Sequence, residues 1–160
     1  MALSLTRNAR FWWAAALGLG LDQLSKAWVV QQFRLQESWS LLPGIFHLTY
    51  VRNPGAAFSL FSHDGSWLRW LSLAVSLALI ALGLFGPRLP RWEQLGYGLI
   101  LAGAIGNGID RFVQGTVVDF LDLRLIRFPV FNIADVLINL GLVCLVVAAC
   151  DQSRGDRPRP

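Results

Sequence analysis

Four long apolar stretches constrain the fold of this chain more than any other feature of its sequence. A helix that crosses the hydrocarbon core of a bilayer needs about 20 mostly apolar residues. Four stretches reach or approach that length: 11–31, 67–86, 93–112 and 129–150. Only 15% of the residues are charged, against about 25% in an ordinary soluble domain. The sequence therefore predicts an all-α integral membrane protein with four transmembrane helices.

The two ends of the chain need separate interpretation. The first stretch has the basic start of a signal peptide, but its apolar part is long and contains Asp22 and Lys26. Signal peptides have a shorter apolar region and a small-residue cleavage site, so we predict a retained helix. The spans form a single predicted membrane domain, residues 1–150, and the polar residues 151–160 are expected to be a disordered cytoplasmic tail.

The arginines favour one orientation of these spans. Four spans place both termini on the same side, and cytoplasmic loops carry an excess of Lys and Arg. The side of the termini holds seven arginines and the other side five, which favours cytoplasmic termini: Arg7, Arg10, Arg88, Arg91, Arg154, Arg157 and Arg159 against Arg34, Arg52, Arg69, Arg124 and Arg127. The net charge of +4 is therefore attributed to membrane topology, and no nucleic-acid partner is expected.

The polar residues of the spans gather toward the extracytoplasmic face in this topology. They are Asp22 and Lys26 in the first span, Asn107, Asp110 and Arg111 in the third, and Asn132 and Asp135 in the fourth. The two long connections, 31–66 and 113–129, fall on the same side. The sequence therefore predicts a site that opens to the extracytoplasmic face.

Two aspartates in this region have no cation close in sequence. Asp135 has none within a helical turn, and Asp119 stands among apolar residues, whereas Asp122 is ambiguous because Arg124 follows it. Two carboxyl groups held close together cannot both ionise easily, so they share one proton. One then acts as a general base toward water while the other donates a proton to a carbonyl oxygen. Aspartic-protease chemistry is one interpretation of such a pair.

Other roles for the charged groups stay open at this point. The pairs Asp22–Lys26 and Asp110–Arg111 are of the kind that hold membrane helices together. A small proton- or cation-coupled transporter would use these groups as a relay, although the inner halves of the spans are almost purely apolar. A Ser–Lys hydrolase would need a serine beside Lys26, but Ser25 points about 100° away on a helix. The two histidines and two cysteines form no recognisable metal set.

Five short motifs, taken together, resemble those of one known family. Each motif is weak alone, but the five occur in the family's order and spacing over nearly the whole chain. The family is that of the bacterial lipoprotein signal peptidases, also called signal peptidase II, and the motifs are LDQLSK (21–26), VRNPGAAFS (51–59), GAIGNGIDR (103–111), GTVVDF (115–120) and FNIADV (131–136).

The resemblance implies an intramembrane aspartic endopeptidase. Such an enzyme removes the signal peptide from diacylglyceryl-modified prolipoproteins by cutting just before the lipidated cysteine. The resemblance assigns the catalytic pair to Asp119 and Asp135, which decides between Asp119 and Asp122. It implies supporting or substrate-binding roles for eight further residues: Asp22, Lys26, Asn53, Gly103, Asn107, Asp110, Arg111 and Asn132.

The resemblance also implies the surroundings of the enzyme. It implies no metal or organic cofactor, diacylglyceryl-prolipoproteins and membrane lipids as partners, inhibition by a peptide antibiotic of the globomycin type, and a monomer in the bacterial cytoplasmic (inner) membrane. In the connection 31–66 it implies a small extracytoplasmic β-element and a short interfacial helix. The residues agree with the β-element, since 45–51 alternate enough for a strand and NPGA is a turn signal.

Overall fold

Four helices and a small sheet make up the part of the chain that the computed structural model describes, which is residues 7–55, 67–126 and 128–155. The helices are α1 Ala9–Gln32, α2 Leu68–Phe85, α3 Arg91–Gln114 and α4 Ile133–Gly155. The strands are β1 Ser38–Leu42, β2 Phe46–Asn53 and β3 Val117–Leu123. The strands follow α1 and α3, so the sheet lies at the end of the bundle where these helices finish. This end is called the sheet end below.

Helix α3 is the centre of the bundle and packs against α1, α2 and α4. A Cβ atom added at Gly103 would overlap the carbonyl oxygen of Ala134 on α4. Gly96 of α3 and Gly141 of α4 approach each other's backbones in the same way, and Gly98 approaches α1. Small residues at helix contacts let membrane helices come close together. The glycines of α3 therefore set how closely its neighbours approach the site described below.

The three strands form one antiparallel sheet in the order β1, β2, β3. In the register of β2 and β3, Val51 stands opposite Asp119. Val29 and Phe33, at the end of α1, belong to one buried apolar cluster with Val118 and Phe120 of β3. This cluster fixes β3 against the helices, and it thereby fixes the position of Asp119.

Each predicted span falls on one helix, and two of the helices have the character of a span by length and composition. These are α2 and α4, whose apolar windows are Leu68–Phe85 and Ile133–Asp151. Helices α1 and α3 have 24 residues each, which is long enough, but they carry the polar residues of the site. Two of the expected spans are thus supported by composition as well as by length.

The predicted start of the fourth span at residue 129 is wrong. Phe131 pairs with Leu121 of β3 as an isolated bridge, and α4 begins only at Ile133. Pro129 lacks an N–H group and disfavours helical conformation in the residue before it, so an apolar run is extended here. The expected tail is also wrong in part, because α4 continues to Gly155. Residues 156–160 lie outside the described residues.

The predicted β-element is present in the connection 31–66. The strand expected at 45–51 is β2, which runs from Phe46 to Asn53. The described part of this connection beyond α1, residues 33–55, contains strands and turns. The expected interfacial helix has no counterpart there, and residues 56–66 lie outside the described residues.

A buried polar cluster at the opposite end of the bundle was not predicted. Asn8, with no exposed surface, donates to the Pro87 carbonyl at 3.1 Å and accepts from the Leu89 N–H at 3.0 Å. The Gln94 amide donates to the Leu89 carbonyl at 2.7 Å and accepts from the Arg10 N–H at 3.2 Å. Side-chain amides thus form hydrogen bonds with the backbone N–H and carbonyl groups of the link between α2 and α3, and they connect this link to the start of α1.

Candidate active site

Asp119 lies in the middle of β3 with only 2% of its surface exposed. Its Oδ2 accepts a hydrogen bond from the Asn53 side-chain amide at 2.9 Å, and its Oδ1 accepts one from the Asn132 amide at 2.6 Å. Burial raises the pKa of Asp119 to about 6, and the nearby charge of Asp135 acts in the same direction, while the two amide donors oppose the shift. Asp119 can therefore hold a proton where an exposed aspartate has lost it.

Asp135 lies in the first turn of α4, where it forms a reciprocal cap with Asn132. The Asp135 N–H donates to Asn132 Oδ1 at 3.0 Å, and the Asn132 N–H donates to Asp135 Oδ2 at 3.2 Å. This is the pattern of a capping box, with Asn and Asp in place of the usual Ser or Thr and Glu. The other carboxyl oxygen accepts from the Asn107 amide at 2.9 Å. The same two residues therefore start the helix and orient the carboxyl group.

Two asparagine side chains connect the two carboxyl groups. The Asn132 Nδ2 group donates to Asp119 and also to Asn107 Oδ1, at 3.1 Å. The Asn107 Nδ2 group in turn donates to Asp135. The resulting chain of hydrogen bonds runs from β3 through α4 to α3 and back to α4. It fixes both aspartates toward one cleft, which both of them line.

Lys26 joins this chain of hydrogen bonds at Asn107, and its ammonium group has three acceptors. Its Nζ lies 2.9 Å from Asp22 Oδ2, 3.0 Å from Asp110 Oδ2 and 3.0 Å from Asn107 Oδ1. Asp22 Oδ1 also accepts the Ala134 N–H at 2.9 Å, in the first turn of α4. Lys26 therefore joins α1 to α3, and Asp22 joins α1 to the start of the helix that carries Asp135.

The expected pairing of Asp110 with Arg111 is wrong. Adjacent residues on a helix point about 100° apart, so the two side chains leave α3 in different directions. Asp110 points to Lys26 and also accepts the Val118 N–H of β3 at 3.2 Å. The expected pairing of Asp22 with Lys26 is confirmed. Ser25 donates to the Asp22 carbonyl at 2.8 Å, so it does not form the Ser–Lys pair that a Ser–Lys hydrolase would need.

Arg111 lines the cleft together with the two aspartates. Its Nη2 donates to the Gly55 carbonyl at 3.3 Å, and its buried Nε has no hydrogen-bond partner among the described residues. The cleft has a volume of about 50 Å³. A water molecule needs roughly 10–15 Å³ of such space, so a few water molecules fit between the polar groups.

Gly103 and Asp122, both singled out from the sequence, neither line the cleft nor belong to the hydrogen-bond network around Lys26 and the two aspartates. Gly103 is a packing residue between α3 and α4, as described above. Asp122 accepts hydrogen bonds from Thr49 at 2.6 Å and from Arg124 at 2.9 Å on the sheet. These bonds lower the pKa of Asp122 although its partial burial acts in the opposite direction. Asp122 is therefore an ionised partner of Arg124, and unlike Asp119 it does not line the cleft.

Several residues of the cleft were missed from the sequence. One wall consists of residues 128–131, and Val117 and Gly55 complete the lining. The run FPVF looked like the start of a span because strand-like and helical apolar runs of this length have the same composition. The proline within it was the available signal for an extended segment.

The fold and the site together define a class of protein. Two carboxyl groups, held by amide donors, face a small polar cleft at one end of a bundle of apolar helices. This is the arrangement of an aspartic-type peptidase among membrane helices. Among the described residues, no group of three or more His, Cys, Asp and Glu side chains is suited to a metal ion.

Comparison with known proteins gives the family. The model of the family described as signal peptidase (SPase) II matches residues 14–150, so the chain belongs to the signal peptidase II family. A lipoprotein signal peptidase of Nostoc sp. is 61% identical over 96% of this chain and 98% of its own. That of Gloeobacter violaceus is 55% identical over 96% of this chain and 88% of its own.

Two solved structures share the fold. One is a bacterial membrane enzyme solved by the in meso method at 2.3 Å resolution, with a TM-score of 0.82 and 27% identity over 92% of this chain and 91% of that one. The other, at 1.9 Å resolution, has a TM-score of 0.74 and 29% identity over 85% and 89% of the two chains. The transporter interpretation has no support from these relatives.

Proposed function

We propose that the chain removes the signal peptide from diacylglyceryl-modified prolipoproteins, cutting before the lipidated cysteine. The observation that carries this proposal is the pair Asp119 and Asp135 in one cleft, in a chain of the signal peptidase II family. Among the described residues, Asp119 and Asp135 are the acids that line this cleft. Neither forms a salt bridge with a described residue, whereas Asp22, Asp110 and Asp122 each do.

The proposed mechanism uses both carboxyl groups and one water molecule. The ionised member of the pair takes a proton from the water, whose oxygen attacks the carbonyl carbon of the scissile peptide bond. The protonated member donates its proton to the carbonyl oxygen. Collapse of the tetrahedral intermediate breaks the C–N bond: the leaving amine takes up the proton that came from the water, and a hydroxyl group of the intermediate returns its proton to the other carboxylate, which restores the singly protonated pair. Asp119, with its pKa of about 6, is suited to sharing a proton near neutral pH.

The other polar residues are proposed to position this pair. Asn53, Asn107 and Asn132 donate to the carboxyl oxygens, and their geometry leaves the pair oriented toward the cleft. Lys26 and Asp22 act one step further away, through Asn107 and through the first turn of α4. Asp110 and Gly103 hold β3 and α4 against α3. Arg111 lines the cleft and is proposed to contact the substrate.

The diacylglyceryl group is proposed to set the depth of the substrate. Burial of acyl chains contributes about 0.8 kcal/mol per CH₂ group, so two long chains hold the modified cysteine at a fixed level in the membrane. The peptide bond next to that cysteine then meets the cleft at the sheet end. Because the acyl chains already position the substrate, the enzyme needs to recognise only the small side chains beside the cleaved bond.

We further propose that all four helices cross the membrane as one domain, residues 1–150, with the sheet end extracytoplasmic. The arginine distribution and the position of the polar residues support this orientation. The protein is proposed to act as a monomer in the bacterial inner membrane. A peptide antibiotic of the globomycin type is proposed as an inhibitor that occupies the cleft, in line with the family resemblance.

The proposed function is tested by cleavage of one prolipoprotein in two forms. The purified protein is incubated in the same detergent with the diacylglyceryl-modified form and with the unmodified form, and the products are identified by mass. We expect cleavage before the modified cysteine and little or none of the unmodified form. Absence of cleavage in both would contradict the proposed function, and equal rates would remove lipid anchoring from the mechanism.

A further inference from the structure

A long apolar groove runs along α4 away from the cleft. It has a volume of about 770 Å³ and is lined by side chains of α4 between Asp135 and Val147, together with residues near the end of β3. Asp135, Phe128 and Phe131 line both the groove and the cleft. The rings of the two phenylalanines stand edge to face, 5.5 Å apart. The groove is therefore continuous with the cleft and leads from it toward the opposite end of the bundle.

The α4 side of this groove has the spacing of a helix-binding surface. Val136, Leu140, Val143 and Val147 recur at i, i+4, i+7 and i+11, and this set is called the α4 seam below. A second helix can pack onto apolar residues with this spacing, and Ile138, Leu142 and Val146 beside them widen the apolar surface of the groove. Leu140 is 50% exposed and Val143 is 58% exposed, because α4 packs on α3 and α1 through other residues. The middle of the seam, Leu140 and Val143, is thus uncovered among the described residues, while Val136 and Val147 are half-buried.

The length and direction of the α4 seam indicate which part of a substrate it fits. From Asp135 to Val147 the helix rises by about 18 Å, more than half of a hydrocarbon core of about 30 Å. Acyl chains that enter from the sheet end stop near the middle of the bilayer. The apolar region of a signal peptide, about 7–15 residues, crosses the middle and reaches the cleavage site from the opposite face. A seam that starts at the site and passes the middle matches the peptide better than the acyl chains.

We propose that the α4 seam binds the apolar segment of the substrate's signal peptide as a helix. This inference rests on the proposed function and names the surface that receives the part of the substrate before the cut. The packing of Val and Leu side chains between two helices gives affinity without a sequence requirement, which suits an enzyme with many different substrates. Specificity then remains with the cleft.

Asn139 marks the point where the bound helix has to unwind. It is an exposed amide on the groove, one turn below Asp135, and its Nδ2 donates to the Asp135 carbonyl at 2.8 Å. No hydrogen bond found among the described residues uses its Oδ1. A peptide bond must be extended to be cut, and the N–H groups released by unwinding need acceptors in a membrane. The Asn139 oxygen supplies one at the required depth.

The test is site-specific crosslinking to a trapped substrate. A photoreactive amino acid replaces Val143 in an Asp119→Asn background, and the protein is illuminated with a diacylglyceryl-modified prolipoprotein. Leu21 of α1 is the matched control, since it is 57% exposed against 58% for Val143 and lies at a similar distance from the sheet end. We expect an adduct from position 143 on the apolar part of the signal peptide, and only background from position 21.

Each other outcome overturns the inference. An adduct from position 143 on the acyl chains would assign the groove to the lipid, and equal or absent adducts at both positions would show that the seam is not a docking surface. Kinetics of single variants with an intact catalytic pair give a second readout. Val143→Trp should raise KM by about tenfold with kcat little changed, whereas Leu21→Trp should change neither; an unchanged KM for Val143→Trp contradicts the proposal. Cleavage by the enzyme without substitutions is measured in parallel. Absence of cleavage there would contradict the proposed function itself, separately from the inference about the α4 seam.

Discussion

At the scale of single residues, the site depends on buried charges that are balanced within a few ångström. Lys26 is 3% exposed and its ammonium group contacts two carboxylates, while Asp22 has no exposed surface. A buried charge without its partner costs several kcal/mol. Removal of any one of Lys26, Asp22 and Asp110 should therefore destabilise the fold. The catalytic candidates Asp119 and Asp135 are held mainly by neutral amides instead. That difference separates the residues expected to act in stability from those expected to act in catalysis.

Lys26→Ala is therefore expected to act mainly on stability. The substitution leaves Asp22 and Asp110 buried without their cation, which should lower the free energy of unfolding by about 3–5 kcal/mol. Cleavage by the remaining folded protein should be reduced but not lost, because Lys26 reaches the catalytic pair only through Asn107. Thermal unfolding in detergent and single-turnover cleavage measure the two effects.

Arg124→Ala is the control, since Arg124 is 44% exposed and its partner Asp122 keeps the hydrogen bond from Thr49 when Arg124 is removed. Loss of this ion pair should cost about 1 kcal/mol, less than the loss of Lys26. Complete loss of cleavage in well-folded Lys26→Ala protein would show that Lys26 takes part in the chemistry.

The raised pKa of Asp119 predicts a particular pH dependence of stability. The pKa rises from an ordinary value of 3.8 to about 6 on folding, so the folded state binds the proton more tightly. The resulting stabilisation is complete below the ordinary value and is lost as pH rises through about 6. The loss amounts to about 3 kcal/mol at most, at about 1.4 kcal/mol per pKa unit. Unfolding of the protein and of Asp119→Asn should be compared from pH 4 to pH 7.

We expect the stability of the protein to fall relative to Asp119→Asn over that interval and to level off above it. Asp122→Asn gives the opposite sign, because the pKa of Asp122 is lowered by Thr49 and Arg124. Its contribution should be present above the ordinary aspartate pKa and lost as pH falls below it. A difference between the protein and Asp119→Asn that stays constant with pH would contradict the environment described for Asp119.

At the scale of secondary-structure elements, the start of α4 and the strand β3 decide the geometry of the site. The start of α4 makes hydrogen bonds with three side chains: Asn132 accepts the Asp135 N–H, Asp22 accepts the Ala134 N–H, and Asn107 donates to the Asp135 carboxylate. The helices were predictable from the length of the apolar runs, and the strand β2 from the alternation of its residues and the turn signal after it. The strand β3 was not, because it is buried on both faces and lies in a connection whose partner strands are distant in sequence. The pairing of Asp110 with Lys26 was not predictable either, because the two residues are distant in sequence.

Gly103→Ala tests whether the approach of α3 to α4 positions the pair. The new methyl group would overlap the Ala134 carbonyl and push α4 away from Asn107. We expect a loss of about 1–3 kcal/mol in unfolding free energy together with slower cleavage. Gly20→Ala is the matched control, because nothing lies within 4 Å of its added Cβ. It should be neutral or stabilising by up to about 1 kcal/mol. Normal cleavage by Gly103→Ala would contradict the positioning role.

At the scale of the whole molecule, the two ends of the bundle have different chemistry. The sheet end holds the cleft and the buried charged residues such as Lys26 and Asp110, whereas the buried polar side chains at the other end are the neutral amides of Asn8 and Gln94. The positions of Asp22, Asn107 and Asp135 near one end followed from the alternating directions of successive spans. The amide cluster at the other end was missed because single amides near the ends of apolar runs carry no pattern. This polarity is the basis for the proposed orientation in the membrane.

The orientation is tested by cysteine labelling in cells. Single cysteines at Ser40 in β1 and at Arg88 in the link between α2 and α3 are introduced after Cys144 and Cys150 are replaced by alanine. Both sites are exposed. A thiol reagent that does not cross membranes should label Ser40→Cys in intact spheroplasts and Arg88→Cys only after permeabilisation. Labelling of both from the same side would contradict a bundle that crosses the membrane.

The central claim is that Asp119 and Asp135 together cut the prolipoprotein. The most direct measurement is the cleavage rate of a diacylglyceryl-modified prolipoprotein by Asp119→Asn, Asp135→Asn and Asp122→Asn, each checked for folding by thermal unfolding. Asp122 is the matched control, since it lies on the same strand as Asp119 but outside the cleft. We predict that the first two variants fold and lose cleavage, while Asp122→Asn retains it. Near-normal cleavage by either Asp119→Asn or Asp135→Asn would contradict the account.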